Sequence, residues 1–463
     1  MKITLIHPPY NLIQEAYGSK TRIKKGNLIP LGIAYLAAVL EKQHKIQVID
    51  ASAESLTNKD IIESIKIFKP ELIGISATNA LAKSTHNLAS SIKKNLNIPI
   101  LVGGPYPTSY PEKVLMDGNI DFIVQEEAEQ IIDLFIESLK TKNFKNVPNL
   151  GYKENNKIIL NQIKEPQKDL DELPIPAFHY FKLKNYAPLP NQYKNKPSIN
   201  LITSRGCPYR KCAFCFNAGQ KGQLYRRLSP ERAIEIIRLL VNKYKIKEIT
   251  FWDDNFLINI EWIRRFCSLI RGLKITWTCY GRVDTVSEEM LRLVSENGCW
   301  SIFYGIESGN QDLLDKLNKG IKLEQIEKTI SLTHKYGIET RGSFMLAIPG
   351  ETKEKAIKTI KFAIELDLDY AQFLPTYPEY GTKLYEVALK EGKLNENYYG
   401  RKKAAYIPDG YKNAEEIEKM INLAYKKFYF RPKYILKTLK KIKSIDDIKK
   451  YAEGLWFMIG MSS

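Results

Sequence analysis

Short apolar runs, separated by longer stretches with helical spacing, set the rhythm of the first third of the chain. The runs fall at residues 3–7, 46–50, 72–76, 100–102 and 122–124. Between them, apolar positions recur every three or four residues over 31–41, 60–68, 83–96, 112–116 and 127–139, the spacing of one helix face. Strands without polar alternation are buried on both sides, and their regular exchange with helices predicts a parallel sheet covered on both faces. Residues 1–145 therefore read as a doubly wound, Rossmann-like α/β domain whose ligands gather beyond the carboxyl ends of the strands.

The rhythm stops over 146–195, where Asn, Lys and Pro are frequent. Pro174 and Pro176 exclude a helix across 171–178, and a small hairpin is expected around Glu154-Asn-Asn-Lys157. This stretch reads as a linker. Alternation returns with strands predicted at 199–203, 248–252, 275–279, 301–304, 339–346 and 370–374. One of the intervening helices opens at Ser229, an N-cap followed by Pro230 at the first helical position. Six strand–helix units over 196–390 make a partial (β/α)6 barrel, with chemistry expected at the C-terminal ends of the strands. From 391 to 463 the pattern is helical and basic, closing on the apolar stretch 454–460.

Composition adds a compartment and a charge. Hydrophobic content of 44% and charged content of 26% are ordinary for a globular protein. No apolar run is long enough to span a bilayer, and the N-terminus reads as a strand and not a signal peptide, so the expected location is the cytoplasm. Six cysteines in 463 residues make no disulfide framework. Cys267, Cys279 and Cys299 are scattered in apolar patterns and read as buried structural thiols, whereas Cys207, Cys212 and Cys215 crowd into one polar loop. The net charge of +18 is uneven, with ten Lys or Arg against two Asp between Tyr425 and Lys450. Such an excess suits anionic lipid, an acidic substrate or nucleic acid, or is simply a solvated helix face. No nucleic-acid module accompanies it, and nucleic acid is not expected as a partner.

The cysteine loop directly follows the first barrel strand, at the end where chemistry is expected. Three thiolates can ligate three irons of a cubane cluster and leave the fourth iron open. The alternative is zinc, which takes four ligands; no second cysteine pair accompanies the loop, and the nearby histidine, His179, lies in the linker.

The segment from Thr203 to Phe216 resembles the cluster loop of radical S-adenosylmethionine (SAM) enzymes. In that family three cysteines hold a 4Fe-4S cluster and SAM chelates the open iron. The usual spacing is three residues then two; here it is four then two, while Phe214 matches the aromatic before the last cysteine. Later segments carry the same resemblance in the same order. Asp253 or Asp254, after the second strand, corresponds to the acceptor of the SAM amine, a cation that prefers a carboxylate. Glu307 and Ser308, after the fourth strand, correspond to contacts with the ribose or methionyl part. Arg341, on the fifth strand, matches the SAM carboxylate in bidentate fashion. Tyr280, Arg282, Tyr377 and Tyr380 are candidates to line a substrate cavity or to pack the barrel.

The first domain resembles the cobalamin-binding domain fused to many such enzymes. The matching pieces give Pro9, Leu31, Gly32, Thr78, Asn79, Gly103, Gly104, Glu126 and Glu127 as cofactor contacts, the glycines letting backbone approach a flat macrocycle. Relatives often carry a glycine before the glutamate of the last piece. There is no Asp-x-His-x-x-Gly motif, which implies cobalamin without a histidine lower ligand. The resemblance implies an enzyme that methylates an unactivated carbon through a 5′-deoxyadenosyl radical and methylcobalamin. The segment 425–434 resembles the branch containing anaerobic magnesium-protoporphyrin ester cyclase and hopanoid-modifying enzymes. That branch leaves oxidative cyclisation without methyl transfer as the alternative, with a non-catalytic cobalamin sensor or carrier behind it. The implied partners are a small-molecule or lipid-like substrate and an external electron donor such as flavodoxin or ferredoxin, with peripheral membrane contact through the basic C-terminal helix.

Overall fold

The computed structural model describes residues 1–15, 26–186, 188–219, 224–391, 393–395, 404–442, 444, 447–449 and 451–454. The chain divides into two compact units, the first made of Met1–Asn11, Asn27–Ala187 and Lys221–Arg226. Its five parallel strands stand where the apolar runs predict them: β1 (Lys2–His7), β2 (Lys45–Asp50), β3 (Leu72–Ser76), β4 (Ile100–Gly103) and β5 (Phe122–Val124). They lie in the order β2-β1-β3-β4-β5. The chain reverses direction across the sheet after β2, so a crevice opens between the ends of β1 and β3. The helix Leu31–Leu40 is apolar almost all round and buried accordingly. The helix Asn58–Phe68 opens with a capping box between Thr57 and Asp60.

Two expectations need correction in this unit. The helix predicted from 127 begins at Ile132, because the chain first makes a separate turn in which Ile131 N and Ile132 N both donate to Ala128 O at 3.0 Å. The sheet is also not purely parallel. The hairpin β6 (Leu150–Glu154) and β7 (Lys157–Leu160) joins it antiparallel at β5, giving seven strands. Asn155 and Asn156 both have positive φ, 49° and 62°, which is the two-residue turn asparagine favours. The expected absence of a helix across 171–178 holds; short 3-10 turns at Leu170–Glu172 and Phe178–Tyr180 are all that interrupts it.

The second unit contains six parallel strands, β8 (Ser198–Leu201), β9 (Glu248–Phe251), β10 (Thr276–Gly281), β11 (Cys299–Glu307), β12 (Glu339–Leu346) and β13 (Tyr370–Pro375), each beside its predecessor in sequence. This is the expected partial barrel. Its outer face is aromatic: Phe251, Phe256 and Trp277 pack on Phe266 of the helix Ile260–Ile270. Cys267, Cys279 and Cys299 are buried, and burial pushes the Cys267 thiol up to about 12, which keeps it inert.

Beyond the barrel, the helix Ala414–Tyr429 covers the edge strand β13. Tyr429 Oη accepts from Ala371 N at 3.0 Å and donates to Ala371 O at 2.8 Å, so the exposed ladder of an edge is satisfied by a side chain. The helix Pro432–Lys440 follows. Lys437 and Lys441 reach Asp369 at 3.1 and 2.8 Å, and Lys441 also reaches Glu339 at 2.8 Å. Part of the basic excess is therefore neutralised within the chain. No helix among the described residues is long and apolar enough to cross a membrane. Of the apolar stretch 454–460, residues 455–460 lie outside the described residues.

At the amino ends of the strands, the fully buried Glu248 carboxylate accepts from Lys194 N at 2.9 Å, Asn195 N at 2.7 Å and Thr276 Oγ1 at 2.7 Å. It closes the floor of the barrel by pairing backbone groups that have no strand partner. Glu248→Ala should remove the acceptor shared by the Lys194 and Asn195 N–H groups and by Thr276 Oγ1 and lower unfolding free energy by about 2 kcal/mol, read by denaturant titration.

Candidate active site

β8 ends at Leu201, two residues before the predicted limit, because Asp253 captures Thr203 and Ser204. Asp253 sits just past β9 and is 1% exposed. Its carboxylate accepts from Thr203 N at 3.1 Å, Thr203 Oγ1 at 2.6 Å and Ser204 Oγ at 2.5 Å. That network anchors the root of the cysteine loop. The far wall of the loop is the turn after the helix Gln311–Lys316. Ala213 N donates to Leu317 O at 2.8 Å, Asn318 Nδ2 to Lys211 O at 2.8 Å and Tyr209 Oη to Asn318 O at 2.9 Å. Gly320, at φ 70°, makes room: a Cβ there would lie 2.1 Å from Tyr209 Oη.

Cys212 is buried, and Cys207 and Cys215 are half-buried. Burial pushes the Cys212 thiol up, opposed by Lys319 and then Arg282. The Cys215 thiol is pushed up to about 12, again by burial first, with Cys212, Asp254 and Cys207 adding to it. The three thiols thus share one electrostatic neighbourhood. Arg282 Nη1 lies 3.7 Å from Cys212 Sγ. Lys319 is buried and pairs with Glu307 at 2.8 Å. Glu307 has a left-handed φ of 68° where a bulge interrupts β11, and Gly305 leaves the space its carboxylate occupies.

Among the described residues no three His, Cys, Asp or Glu side chains close around a single ion. The donor set is three thiols with two buried cations beside Cys212. It fits an anionic iron–sulfur cluster held by three cysteines, where positive charge offsets thiolate and sulfide.

The inward face of the sheet carries Trp252, Tyr280 and Phe303 in a row, with ring centroids 5.4 and 5.0 Å apart. Arg341 ends the row, its guanidinium 5.4 Å from the Phe303 ring centroid. Arg341 is 2% exposed, and its Nε and Nη2 have no hydrogen-bond partner among the described residues. A buried guanidinium in that state calls for an anionic or carbonyl oxygen. The hydroxyls of Thr250, Thr278 and Ser301, one step nearer the amino ends, are also buried without partners among the described residues.

The structure separates residues that the sequence could only pair. Asp253 is occupied by the loop root. Asp254 is solvent-accessible yet ringed by protein, and burial, then Asp253, pushes its carboxyl up to about 6 against a 2.8 Å hydrogen bond from Asn217. Ser308 is fully buried; its Oγ lies 3.2 Å from Thr359 Oγ1 and accepts from Asn310 N at 3.2 Å, so it belongs to packing against the helix Lys353–Glu365. Phe214 packs against Leu313, Leu317, Met345 and Ile348. Tyr280 lies in the aromatic row, Arg282 faces a cysteine, and Tyr380 is 45% exposed beside Tyr385. Lys319 and Tyr209 escaped the sequence reading; the signal was the Asn318-Lys-Gly320 turn, whose glycine marks a close approach.

In the first unit the candidates gather at the carboxyl ends of β1, β3, β4 and β5 and at the start of the helix Leu31–Leu40. Thr78 and Gly32 are exposed, Asn79 is half-buried, and a Cβ on Gly103 would meet nothing within 4 Å. Gly104, at φ 101°, brings its backbone against Ala77 O, where a Cβ would stand 2.8 Å away. Leu31 is buried in the core. Pro9 O accepts from Ser84 Oγ at 2.5 Å. Glu126 N donates to Thr108 Oγ1 at 2.9 Å, and Glu127 forms an ion pair with Arg226, Nη1 to Oε2 at 3.1 Å. A further group at this end was not foreseen: His7 Nδ1 and Tyr186 Oη both reach the buried Asp50, at 3.2 and 2.7 Å.

A three-cysteine half-barrel in one chain with a doubly wound domain defines the class of radical SAM proteins that carry a cobalamin-binding module. Family models agree: the radical SAM superfamily matches residues 201–363 and the B12 binding domain residues 24–136. A protein of Pyrococcus horikoshii named as an uncharacterized methyltransferase is 35% identical over 95% of both chains. The chain belongs to this cobalamin-binding radical SAM family. The anaerobic magnesium-protoporphyrin IX monomethyl ester cyclase of Rubrivivax gelatinosus is 26% identical over 98% of this chain and 81% of its own. Among solved structures, the cobalamin-dependent radical enzyme OxsB superposes with a TM-score of 0.73 at 19% identity, over 99% of this chain and 71% of that one. The methyltransferase TsrM of Kitasatospora setae gives 0.68 at 16% identity, over 90% and 84%. These two likenesses concern the fold.

Asp253→Asn places an amide N–H2 among donors and should lower stability by about 2 kcal/mol. The same variant should retain less iron than wild type after anaerobic reconstitution, measured by colorimetric iron assay per chain.

Proposed function

We propose that this chain is a cobalamin-dependent radical SAM methyltransferase acting on an unactivated carbon of a small-molecule or lipid-like substrate. The observation that carries the reading is the three-thiol loop at the mouth of a barrel whose inner wall ends in Arg341, with Nε and Nη2 unpaired among the described residues. When bound, the cluster with SAM supplies a 5′-deoxyadenosyl radical and cobalamin supplies the methyl group. Cys207, Cys212 and Cys215 hold the cluster. Asp254 receives the SAM amine, since Asp253 is committed to the loop root, and Arg341 receives the carboxylate through two parallel hydrogen bonds. Glu307 stays in place through Lys319 and lies at the end of β11, where the ribose would rest. Thr78, Asn79, Gly103 and Gly104 form the surface for the corrin, with no histidine on the lower face of cobalt. Trp252, Tyr280 and Phe303 exclude water from the reacting carbon.

Methylation is preferred because the 35% identical relative is named a methyltransferase, while the 26% identical one is named a cyclase. The cyclase keeps oxidation without methyl transfer as a second reading. An external low-potential donor, flavodoxin or ferredoxin, would supply electrons in the cytoplasm. Protein reconstituted anaerobically with iron, sulfide and hydroxocobalamin, then given SAM and dithionite, should form 5′-deoxyadenosine by mass spectrometry. Arg341→Met should raise the KM for SAM at least tenfold with the cluster intact. Cluster absorbance that survives replacement of all three thiols by alanine overturns the assignment. With deuteromethyl SAM, a substrate that gains the labelled methyl supports methylation, and one that only loses hydrogen supports cyclisation.

We also propose that the helix Pro432–Lys440 rests on an anionic lipid surface. Ile435, Leu436 and Leu439 are exposed beside the exposed Lys433 and Lys440, the composition of an interfacial helix. Wild-type protein should sediment with phosphatidylserine-containing vesicles, and Leu436→Glu with Leu439→Glu should remain in the supernatant.

A further inference from the structure

Arg282 is held more tightly than a substrate-lining side chain needs to be. Its Nε and Nη2 donate to the two oxygens of Asp284 at 3.0 and 2.9 Å, and Nη2 donates again to Lys319 O at 2.8 Å. The guanidinium carbon lies 3.9 Å from the centroid of the Tyr209 ring. The residue is 7% exposed. With those contacts fixed, Nη1 is the atom that points at Cys212 Sγ, at 3.7 Å. Tyr209 itself is one of the four residues between the first two cysteines, in the stretch longer by one than the usual spacing. Its ring is clamped between Arg282 on one side and the space left by Gly320 on the other, with Oη on Asn318 O.

We infer that Arg282 is a positioning residue that clamps the lengthened cysteine loop through Tyr209 and, by donating to the Cys212 thiolate, raises the reduction potential of the bound cluster. This rests on the radical SAM reading of the three thiols. Adding one electron makes the cluster more anionic, and a hydrogen bond with a nearby positive charge favours that reduced state. The electron comes from an external low-potential reductant. Asp284 opposes Arg282 in charge while orienting it, so the pair sets the potential from both sides: loss of the cation must lower it, and neutralisation of the anion must raise it.

The test is an anaerobic potentiometric titration followed by electron paramagnetic resonance, with iron and sulfide counted per chain. Arg282→Met with full iron should lower the equilibrium constant for one-electron reduction at least tenfold, a fall of about 59 mV. Asp284→Asn, which removes the negative charge and still offers one carbonyl oxygen to Arg282, should shift the potential upward. If Arg282→Met fails to hold iron, Asp284→Asn alone decides. An upward shift supports the inference, and an unchanged or lowered potential with full iron overturns it. A wild-type chain that binds no cluster would refute the radical SAM reading itself, a distinct outcome from a wild-type cluster whose potential ignores both variants.

Discussion

The hydrogen bonds from Thr203 and Ser204 to the Asp253 carboxylate are the constraint on which the rest of the second unit depends. A loop rich in Pro, Arg and Lys has little apolar anchorage beyond Phe214 to keep it over the mouth of a barrel, and thiols that only approached one another transiently could not hold a cluster. Asp253 supplies the missing order. It lies past β9, its acceptors are filled by the extension of β8, and the two strands are already paired in register from Ser198 to Leu201. The order of the sheet is thereby transmitted to Cys207, and the turn at Leu317–Gly320 does the same from the other side. Preorganisation of this kind is why a ligand set can be built from a loop at all.

Much of the architecture was legible because it rests on burial. Strands closed on both faces must be apolar, and 3–7, 46–50 and 72–76 could scarcely form anything else. What burial does not specify was missed. The hairpin at β6 and β7 was foreseen as a hairpin but not as part of the sheet, since pairing with β5 depends on backbone hydrogen bonds and on the side chain that Gly151 lacks. The helix after β5 starts later than periodicity predicts because the turn at 128–131 leaves no trace in the apolar pattern.

The same division holds at the site. Cysteine spacing is visible in one dimension and Arg341 stands out as a charge on an apolar strand. Asp253 and Asp254 are adjacent and identical in type, and only the third dimension shows one committed to Thr203 and the other open to solvent. Ser308 read as a ligand because it follows a glutamate at a strand end; its hydroxyl turns instead to Thr359. Lys319 was invisible for the opposite reason, since a lysine beside a glycine usually marks a solvated turn, and its partner Glu307 lies on another element. The charge of the C-terminal region resolves in the same way. The Asp369 carboxyl is held well below the usual carboxylate range, burial being outweighed by His334, Lys441 and Lys437, so those lysines fasten a helix to the barrel edge while Lys433 and Lys440 face outward.

The electrostatics of the cysteine loop then explain how one chain can fold both without and with an anionic cofactor. Arg282 with Asp284 and Lys319 with Glu307 are each neutral as pairs, so burying them without a cluster leaves no net charge uncompensated. They are not neutral at Cys212. There the cations Lys319 and Arg282 outweigh Glu307, so each pair presents its positive end to the sulfur. A fixed dipole of this sort favours negative charge wherever thiolate and sulfide accumulate, without the cost an isolated buried cation would impose. Single positive residues would have made folding depend on the cofactor; the paired arrangement lets the site be built first and filled afterwards.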